Sequence, residues 1–491
     1  MLTTFQNFAS ACILSIITIT SAWGQSSVLE LLTAPALQAD KSTSQPATSD
    51  KPTSPASPAG DHLLAPIQWG ADNQYKLQIG GDVRIRAEKR ENFDLRDERN
   101  RHDDDLGFMR TRLNFDLTAG EVARVFLELM DGREIGARRE QGQEDPWDLH
   151  QAYIDFRQPK KGPWTLRLGR QEMEFGRDTR LVEASNWNNL RRTFVGPRAL
   201  YRSEEVDVDL FVVHPDYFDR RRGDEDITDH GRMRSEEWFY GAYATLRQFK
   251  PHTLEAYFLG LSDRNSHRTF APNRTSEDGT YGSSGRYTIG SVLYGPLHED
   301  TGGKLTYTAE GALQWGRWSK DKIRAHMLRG DVTYEWKRPW QPSVGLVGTW
   351  ASGDKDPNDG VNGRFDQLFG SNHGPYGIMD FVRARNLREL ALVGKLHPTE
   401  KLTLQAEGHG YWADSKTDSG LQAPGEKPLR DRDGRSGREL GQEISLVAQY
   451  KLSKHVNLEA GAAHFFPGGY PAAFGRNDGA NLFYVQTQIK F

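Results

Sequence analysis

The sequence has little of what many protein scaffolds rely on. Cys12 is the only cysteine, which excludes a disulfide framework and any cysteine-based metal site. Long apolar runs are scarce as well, because only 36% of the 491 residues are hydrophobic, whereas each membrane-spanning helix needs about 20 mostly apolar residues. A helical membrane protein is therefore excluded. The net charge is small, at −4, and at face value this composition indicates a polar, soluble protein.

Aromatic residues and glycine, by contrast, are plentiful. The chain contains 12 Trp, 17 Tyr and 23 Phe, which are too many side chains of the buried type for a disordered protein. It also contains 49 glycines. Together these residues favour a β-rich fold with many turns.

The N-terminus has the pattern of a signal peptide. Residues 1–24 carry no charged side chain, and an apolar stretch runs from Ala11 to Thr20. The small residues Ala22 and Gly24 then fit a signal-peptidase site. We therefore predict that residues 1–24 are a signal peptide and that the protein is exported; a buried strand is the alternative.

The segment that follows has the composition of a tether. Between Ser42 and Pro58, twelve of 17 residues are Ser, Thr or Pro. Such a run cannot bury enough apolar area to offset its loss of chain entropy. Residues 25–72 are therefore predicted to be a flexible periplasmic segment.

From residue 73 onward, apolar and polar residues alternate with a period of two. In a typical segment, Leu113, Phe115 and Leu117 share one face, and polar or charged residues occupy the other. Successive side chains of a β-strand face opposite sides, so each segment has one apolar and one polar face. A soluble antiparallel sandwich would show the same alternation.

Three observations favour a membrane barrel over a sandwich. Many segments are 10 to 13 residues long, as a tilted membrane-spanning strand requires. Their polar faces repeatedly carry full charges, which suits a water-filled interior. The connections alternate between eight short and nine long ones, which gives 18 strands. We therefore predict an all-β fold over residues 73–491: a transmembrane antiparallel β-barrel of 18 strands, with short periplasmic turns and long extracellular loops.

The last strand supports this prediction. Phe483, Val485, Ile489 and Phe491 share one face, and a final strand ending in Phe resembles the signal read by the bacterial outer-membrane assembly machinery. That machinery and outer-membrane lipid are therefore expected partners, and the bacterial outer membrane is the expected location.

Several short segments resemble the alginate-export family of outer-membrane porins. In chain order they are Leu166-Arg167-Leu168-Gly169-Arg170-Gln171, Asn186-Trp187, Arg192-Thr193-Phe194, Ala351-Ser352-Gly353-Asp354, Asn386-Leu387, Glu439-Leu440-Gly441-Gln442-Glu443 and the final strand. The resemblance extends from about residue 75 to Phe491, and the family's 18-stranded barrel agrees with the strand count. It implies a channel for export of an anionic exopolysaccharide, an alginate-like polyuronate, together with periplasmic export partners.

Arginine is the residue that suits such a substrate. Arg outnumbers Lys by 44 to 19, and its permanently charged guanidinium contacts carboxylates in a planar, bidentate way. Strand parity and the quoted segments place a set of arginines from the first six strands on the path of the substrate. The set is Arg84, Arg86, Arg110, Arg112, Arg167, Arg170, Arg198 and Arg202.

Two features complicate this set. Inward carboxylates such as Asp82 and Asp155 could pair with the arginines and stiffen the wall, each pair contributing about 0.2–1 kcal/mol. Arg170 shares the parity of the lipid-facing Leu168, where a charge costs up to about 2–4 kcal/mol. Either Arg170 lies above the bilayer or a bulge at Gly169 turns it inward, and the bulge is the preferred prediction.

The long connection 353–385 is predicted to fold into the lumen as a plug or gate. It is too long to be a simple connector, and it contains four aromatic residues: Phe365, Phe369, Tyr376 and Phe381.

The start of the same connection resembles a calcium-binding loop. It contains Asp354, Asp356 and Asn358, but Gly360 stands one place late and no spaced Glu follows. A solvated turn is therefore the favoured interpretation, and we predict no metal site.

Three other functions were weighed. The nearest is a general or uptake porin for small anionic sugars or sugar acids, which needs the same lumen chemistry. An enzyme is disfavoured because neither His409 nor His464 belongs to a catalytic or metal-ligand pattern. A soluble β-sandwich adhesin would extract without detergent. We predict a monomeric channel with no catalytic residues, no cofactor and no nucleic-acid partner, whose substrate is an anionic polysaccharide or sugar acid.

Overall fold

The computed structural model describes residues 63–97, 102–136, 143–177, 181–216, 237–263, 283–421, 429–431 and 433–491. The predicted signal peptide and most of the predicted flexible segment lie outside the described residues. No helix within these ranges is long and apolar enough to cross a membrane.

The described residues form one sheet of 20 strands. Two of the strands, Ile67–Trp69 and Val361–Asn362, are short additions, and the remaining 18 form the wall of the barrel. These are β1 (Tyr75–Glu91), β2 (Asp103–Ala119), β3 (Ala123–Ile135), β4 (Asp145–Arg157), β5 (Trp164–Gln171), β6 (Thr193–Arg202), β7 (Val206–Asp216), β8 (Glu237–Leu246), β9 (Thr253–Asp263), β10 (Ser284–Glu299), β11 (Gly303–Trp318), β12 (Asp321–Trp336), β13 (Ser343–Ala351), β14 (Leu387–Leu396), β15 (Leu402–Trp412), β16 (Glu439–Lys451), β17 (Val456–Pro467) and β18 (Ala480–Lys490).

The sheet closes on itself because β18 pairs with β1. The pairing is antiparallel and runs from Asp82 opposite Lys490 to Glu91 opposite Asn481. Gly81 makes the join possible, since a Cβ at this position would lie 2.1 Å from the carbonyl oxygen of Arg112 and 2.9 Å from the ring of Phe491. The predicted closed antiparallel barrel of 18 strands is therefore confirmed.

The strands are amphipathic in the predicted sense. Leu210, Val212, Leu390, Leu392 and Leu446 are exposed on the outer face, and polar residues that alternate with such positions are buried inside. A wall of this kind presents apolar side chains to lipid and polar ones to the lumen.

Most predicted connections are also present. The short connection predicted at Gly120-Glu121 occupies residues 120–122 between β2 and β3. One prediction was too long: the connection placed at 316–322 is only Ser319-Lys320, because β11 and β12 pair as far as Trp318 opposite Asp321. At the other end, Ile67–Trp69 pairs with the start of β1, so ordered structure begins before the predicted boundary at residue 73.

Two long loops fold inside the barrel. The first inserted loop, residues 172–192, joins β5 to β6, and residues 178–180 of it are outside the described residues. The second inserted loop, residues 352–386, joins β13 to β14. Its Phe369 packs against Phe194 and Phe239 of the wall, with ring centroids 5.2 and 4.8 Å apart.

The inward course predicted for the second inserted loop is thus confirmed, whereas the first inserted loop was not predicted to fold inward. The two loops meet each other in the lumen. Val182 and Phe369 form a parallel β-bridge, in which the amide of Glu183 donates to the carbonyl oxygen of Phe369 at 3.1 Å and the amide of Phe369 donates to that of Leu181 at 2.9 Å. The two inserted loops are therefore joined to each other inside the barrel by backbone hydrogen bonds.

Candidate functional site

The first inserted loop is held against the wall by two buried arginines. Arg84 on β1 and Arg110 on β2 are 3% and 0% exposed. Arg84 donates to the carbonyl oxygens of Asn186 and Asn188 at 2.6 and 2.9 Å. Arg110 donates to the same two oxygens at 3.4 and 3.2 Å. We call these two residues the Arg84–Arg110 pair; both partners are neutral backbone groups of the loop.

A third predicted path residue, Arg86, also contacts this loop. It donates to the carbonyl oxygen of Trp187 at 2.7 Å and pairs with Glu88 at 2.6 Å. Its guanidinium lies 3.7 Å from the centroid of the Trp187 ring, a favourable cation–π arrangement. The ring of Trp187 also stacks on His373 of the second inserted loop, with centroids 3.6 Å apart. Arg86 and Trp187 thereby link the wall to both loops.

Four other arginines of the predicted path pair with aspartates of the wall. The pairs are Arg112–Asp82, Arg167–Asp155, Arg198–Asp209 and Arg202–Asp209, with nitrogen–oxygen distances of 3.0, 2.7, 2.6 and 2.8 Å. The structure thus shows, for these four residues, the cross-strand pairing that the sequence analysis weighed as the alternative.

Arg170 does not reach its partners through a bulge. The ladder continues without a register shift, with Arg170 opposite Ala152 on one side and opposite Val195 on the other, so the predicted bulge is wrong. Its guanidinium is held instead by the carboxylates of Asp148 and Asp216, at 2.8 and 2.7 Å. These ion pairs compensate the charge that parity alone would leave facing lipid.

The base of the first inserted loop forms a buried polar cluster. Glu172 contacts Nε2 of His150 at 2.8 Å and an amino group of Arg191 at 2.6 Å. Burial tends to raise the pKa of Glu172, but the Arg191 guanidinium and the His150 hydrogen bond hold it well below its usual value. Ligand atoms of Glu128, His150 and Glu172 lie within 4.8 Å of one another. Because Arg191 contacts both carboxylate oxygens of Glu172, a cation of the protein itself already serves this cluster.

The loop that resembles a calcium site uses its carboxylates locally. Asp354 is buried and accepts a hydrogen bond from the amide of Gly363 at 3.1 Å. Asp356 accepts one from the amide of Asn358 at 3.0 Å. Both are contacts that stabilise turns.

A cavity of about 380 Å³ lies between the two inserted loops and the wall. Five arginines line it, together with three carboxylates and the Trp187–His373 stack. The arginines are Arg86, Arg90, Arg192, Arg383 and Arg385, and the carboxylates are Glu88, Asp366 and Asp380. Cationic side chains therefore outnumber anionic ones around this cavity.

The carboxylate of Asp366 shows how strongly these cations act. Burial tends to raise its pKa, but Arg286 and Arg385 hold the pKa of Asp366 below its ordinary value. A mobile carboxylate that enters the cavity would meet the same positive field.

Sequence reasoning found part of this site. It placed Arg86 on the path and the second inserted loop in the lumen, but it missed Arg383, Arg385 and His373. The spacing Arg383-x-Arg385 in an aromatic-rich loop was the available signal, once that loop was expected inside the barrel. Arg192 was noticed only as part of a segment shared with known porins.

Comparisons with known proteins agree with this geometry. The sequence matches the alginate export family over residues 75–485, and no curated protein matches it. The crystal structure of the outer membrane protein OprD from Pseudomonas aeruginosa is similar, with a TM-score of 0.54 and 12% identity, over 84% of this chain and 93% of that one. OpdK from Pseudomonas aeruginosa, solved with vanillate, has a TM-score of 0.55 and 10% identity, over 84% and 98% of the two chains. At these identities the structural likeness shows a shared fold.

Proposed function

The chain belongs to the alginate export family and is a channel of the bacterial outer membrane, and from this premise we propose that it exports an anionic polysaccharide. The substrate class is an alginate-like polyuronate, and the path is the arginine-lined lumen between the inserted loops. The proposed working unit is a monomer with lipid around the barrel, supplied by export proteins on the periplasmic side.

One observation carries this proposal: the cavity between the inserted loops and the wall is lined by five arginines and three carboxylates. Guanidinium groups bind carboxylates through paired, charge-assisted hydrogen bonds. A row of such groups can hold successive uronates of a polymer in turn, which transport requires, because binding at many sites must stay weak enough for release.

A second candidate function is the passage of small sugar acids. The cavity of about 380 Å³ has the size of a pocket for a small ligand, about 300–1,000 Å³. A structural neighbour, OpdK, holds vanillate, and this observation favours small carboxylates as the rival substrates.

Reconstitution in planar lipid bilayers separates the two candidates. For export, we expect mannuronate oligomers to block the ion current and to cross into a polymer-free compartment, with neutral dextrins of equal length inactive. In the double variant Arg383→Gln, Arg385→Gln, the half-blocking concentration should rise about tenfold, the equivalent of about 1.4 kcal/mol.

Arg324→Gln is the matched control, because Arg324 is an exposed arginine of β12 and its loss should leave the block unchanged. If glucuronate crosses while oligomers neither block nor cross, the polymer proposal is wrong and passage of small sugar acids is supported. If neither charged ligand interacts with the channel, both candidates are wrong.

A further inference from the structure

The Arg84–Arg110 pair differs from the arginine–aspartate pairs of the wall in the charge of its partners. Among the described residues, no carboxylate forms an ion pair with either guanidinium, and the partners are carbonyl and side-chain amide oxygens of the first inserted loop. The Nε atoms of both residues are buried and donate no hydrogen bond within this part of the structure. The hydrogen bonds of these two buried cations therefore go to neutral groups alone.

The geometry of these contacts is that of a bound anion. The carbonyl oxygens of Asn186 and Asn188 each accept hydrogen bonds from both guanidinium groups. Two oxygens shared by two arginines is an arrangement in which a carboxylate is commonly held. The loop thus occupies the positions of an anionic ligand without supplying its charge.

We propose that the Arg84–Arg110 pair is a carboxylate-binding site that the segment 186–188 occupies as a built-in neutral ligand, and that a uronate carboxylate displaces this segment. The identity of the ligand rests on the proposed function. Arrival of substrate would release the first inserted loop from the wall, so the anion that is transported would also open its own path.

The energetic reason is the difference between the two acceptors. Hydrogen bonds from a guanidinium to an ionised acceptor are about twice as strong as those between neutral groups. A carboxylate would also compensate two buried charges, which a carbonyl oxygen cannot do. A ligand shifts the equilibrium between the docked and the released loop by the difference between its affinities for the two states. Here only the released state offers the ligand the two guanidinium groups.

The segment has a fixed point about which it can move. The side chain of Asn189, which is fully buried, donates to the carbonyl oxygens of Met109, Arg133 and Gln143 at 3.1, 3.1 and 2.9 Å. On the other side, Ser185 has a φ of 62°, in the left-handed region that costs a non-glycine residue about 1–2 kcal/mol. Release of residues 186–188 would relieve this strain while Asn189 keeps the loop attached.

A cysteine at Ser185 reports the release. Ser185 is 7% exposed, and the natural Cys12 lies in the predicted signal peptide, so a maleimide that cannot cross membranes would label one site in the full channel. At constant ionic strength, we expect mannuronate oligomers to raise the labelling rate of Ser185→Cys about fivefold or more. A neutral dextrin should leave the rate unchanged.

Arginine variants assign the effect to the pair. With Arg84→Gln and Arg110→Gln, labelling should be fast without ligand and insensitive to mannuronate. Arg124→Gln is the matched control, because Arg124 is a wall arginine with carboxylate partners, Asp116 and Asp155, and this variant should keep the response. If the double variant fails to fold, the labelling rates of Ser185→Cys with mannuronate and with dextrin still test the proposal.

The outcomes distinguish this inference from the proposed function. Mannuronate that blocks the current without changing the labelling would overturn the displacement and leave the export proposal standing. Glucuronate that raises the labelling, while polymers neither block nor cross, would support the site and contradict export. Equal effects of mannuronate and dextrin would overturn a carboxylate site.

Discussion

The two sides of the lumen satisfy buried carboxylates in different ways. On β1–β7, aspartates pair with guanidinium groups, as in Arg167–Asp155 at 2.7 Å. On β8–β18, several glutamates accept hydrogen bonds from tyrosine hydroxyls, as in the buried pair Tyr243–Glu255 at 2.6 Å and the partly buried pair Tyr484–Glu459 at 2.8 Å, although Glu389 pairs with Arg329. Both arrangements meet the hydrogen-bonding requirement of a buried carboxylate. Only the first also neutralises its charge, so we distinguish an arginine–aspartate wall and a tyrosine–glutamate wall.

Each inserted loop has a characteristic polar contact with one of these walls. The first loop presents carbonyl oxygens to the Arg84–Arg110 pair of the arginine–aspartate wall. The second loop presents the amide of Ile378 to the carboxylate of Glu443 on the tyrosine–glutamate wall, at 2.6 Å. These two contacts are opposite in polarity, so an anionic ligand can compete for the first contact but not for the second. The second loop is also held by Arg329, which donates to the carbonyl oxygen of Pro375 at 3.1 Å and already pairs with Glu389.

The largest effect is expected from breaking an ion pair of the arginine–aspartate wall. Arg112→Met leaves the buried Asp82 without its guanidinium partner and should lower the free energy of unfolding by about 3–5 kcal/mol. Tyr484→Phe on the opposite wall removes one neutral donor and should cost about 1 kcal/mol. Urea unfolding in lipid vesicles, followed by tryptophan fluorescence, measures both. Equal losses in the two variants would contradict the distinction between the walls.

A smaller effect is expected from loosening the second inserted loop. A Cβ at Gly377 would lie 2.5 Å from the carboxylate of Glu443, so Gly377→Ala should disrupt the contact with Ile378. Gly374→Ala is the matched control, because its φ of +90° is close to the +87° of Gly377 and no atom lies within 4 Å of the added carbon. Both variants carry similar backbone strain, and Gly377→Ala should lose about 1–3 kcal/mol more.

Native-state hydrogen exchange of the Ile378 amide measures this difference. Exchange should be faster in Gly377→Ala than in Gly374→Ala, because opening frees a donor that Glu443 now holds. Equal exchange rates would show that Glu443 does not hold the loop.

The features that could be predicted from the sequence are those that depend on short-range patterns. The features that could not be predicted depend on contacts between residues far apart in the chain. Strand parity is local, so the barrel, its closure and the inward position of Arg84 were predictable. The partner of Arg84 could not be predicted, because it is a backbone carbonyl oxygen 102 residues along the chain. A backbone group does not appear in a pattern of side chains. The bulge predicted at Gly169 was wrong for the same reason, because the charge of Arg170 is compensated by Asp148 and Asp216, two residues on other strands.

Lowering the pH should have the smallest effect, because the carboxylate at the base of the first inserted loop stays ionised over a wide range of pH. Burial raises the pKa of Glu172, but Arg191 and His150 lower it well below the ordinary value of 4.5. A carboxylate whose pKa is depressed by folding stabilises the folded state above its unfolded pKa, and this stabilisation disappears only as the pH falls through the folded pKa. Arg286 and Arg385 lower the pKa of Asp366 in the second loop in the same sense.

The first loop should therefore stay docked from pH 8 down to about pH 5, with constant labelling of Ser185→Cys. In Glu172→Gln the first loop should be labelled faster throughout this range, because Arg191 loses the nearer of its two anionic partners and keeps only Glu174, at 3.3 Å. A transition between pH 5 and 7 in the unchanged channel would show that another group controls docking. If the expected result holds, the first loop is released by an anionic ligand and not by protons, which is the behaviour required of a channel opened by its own substrate.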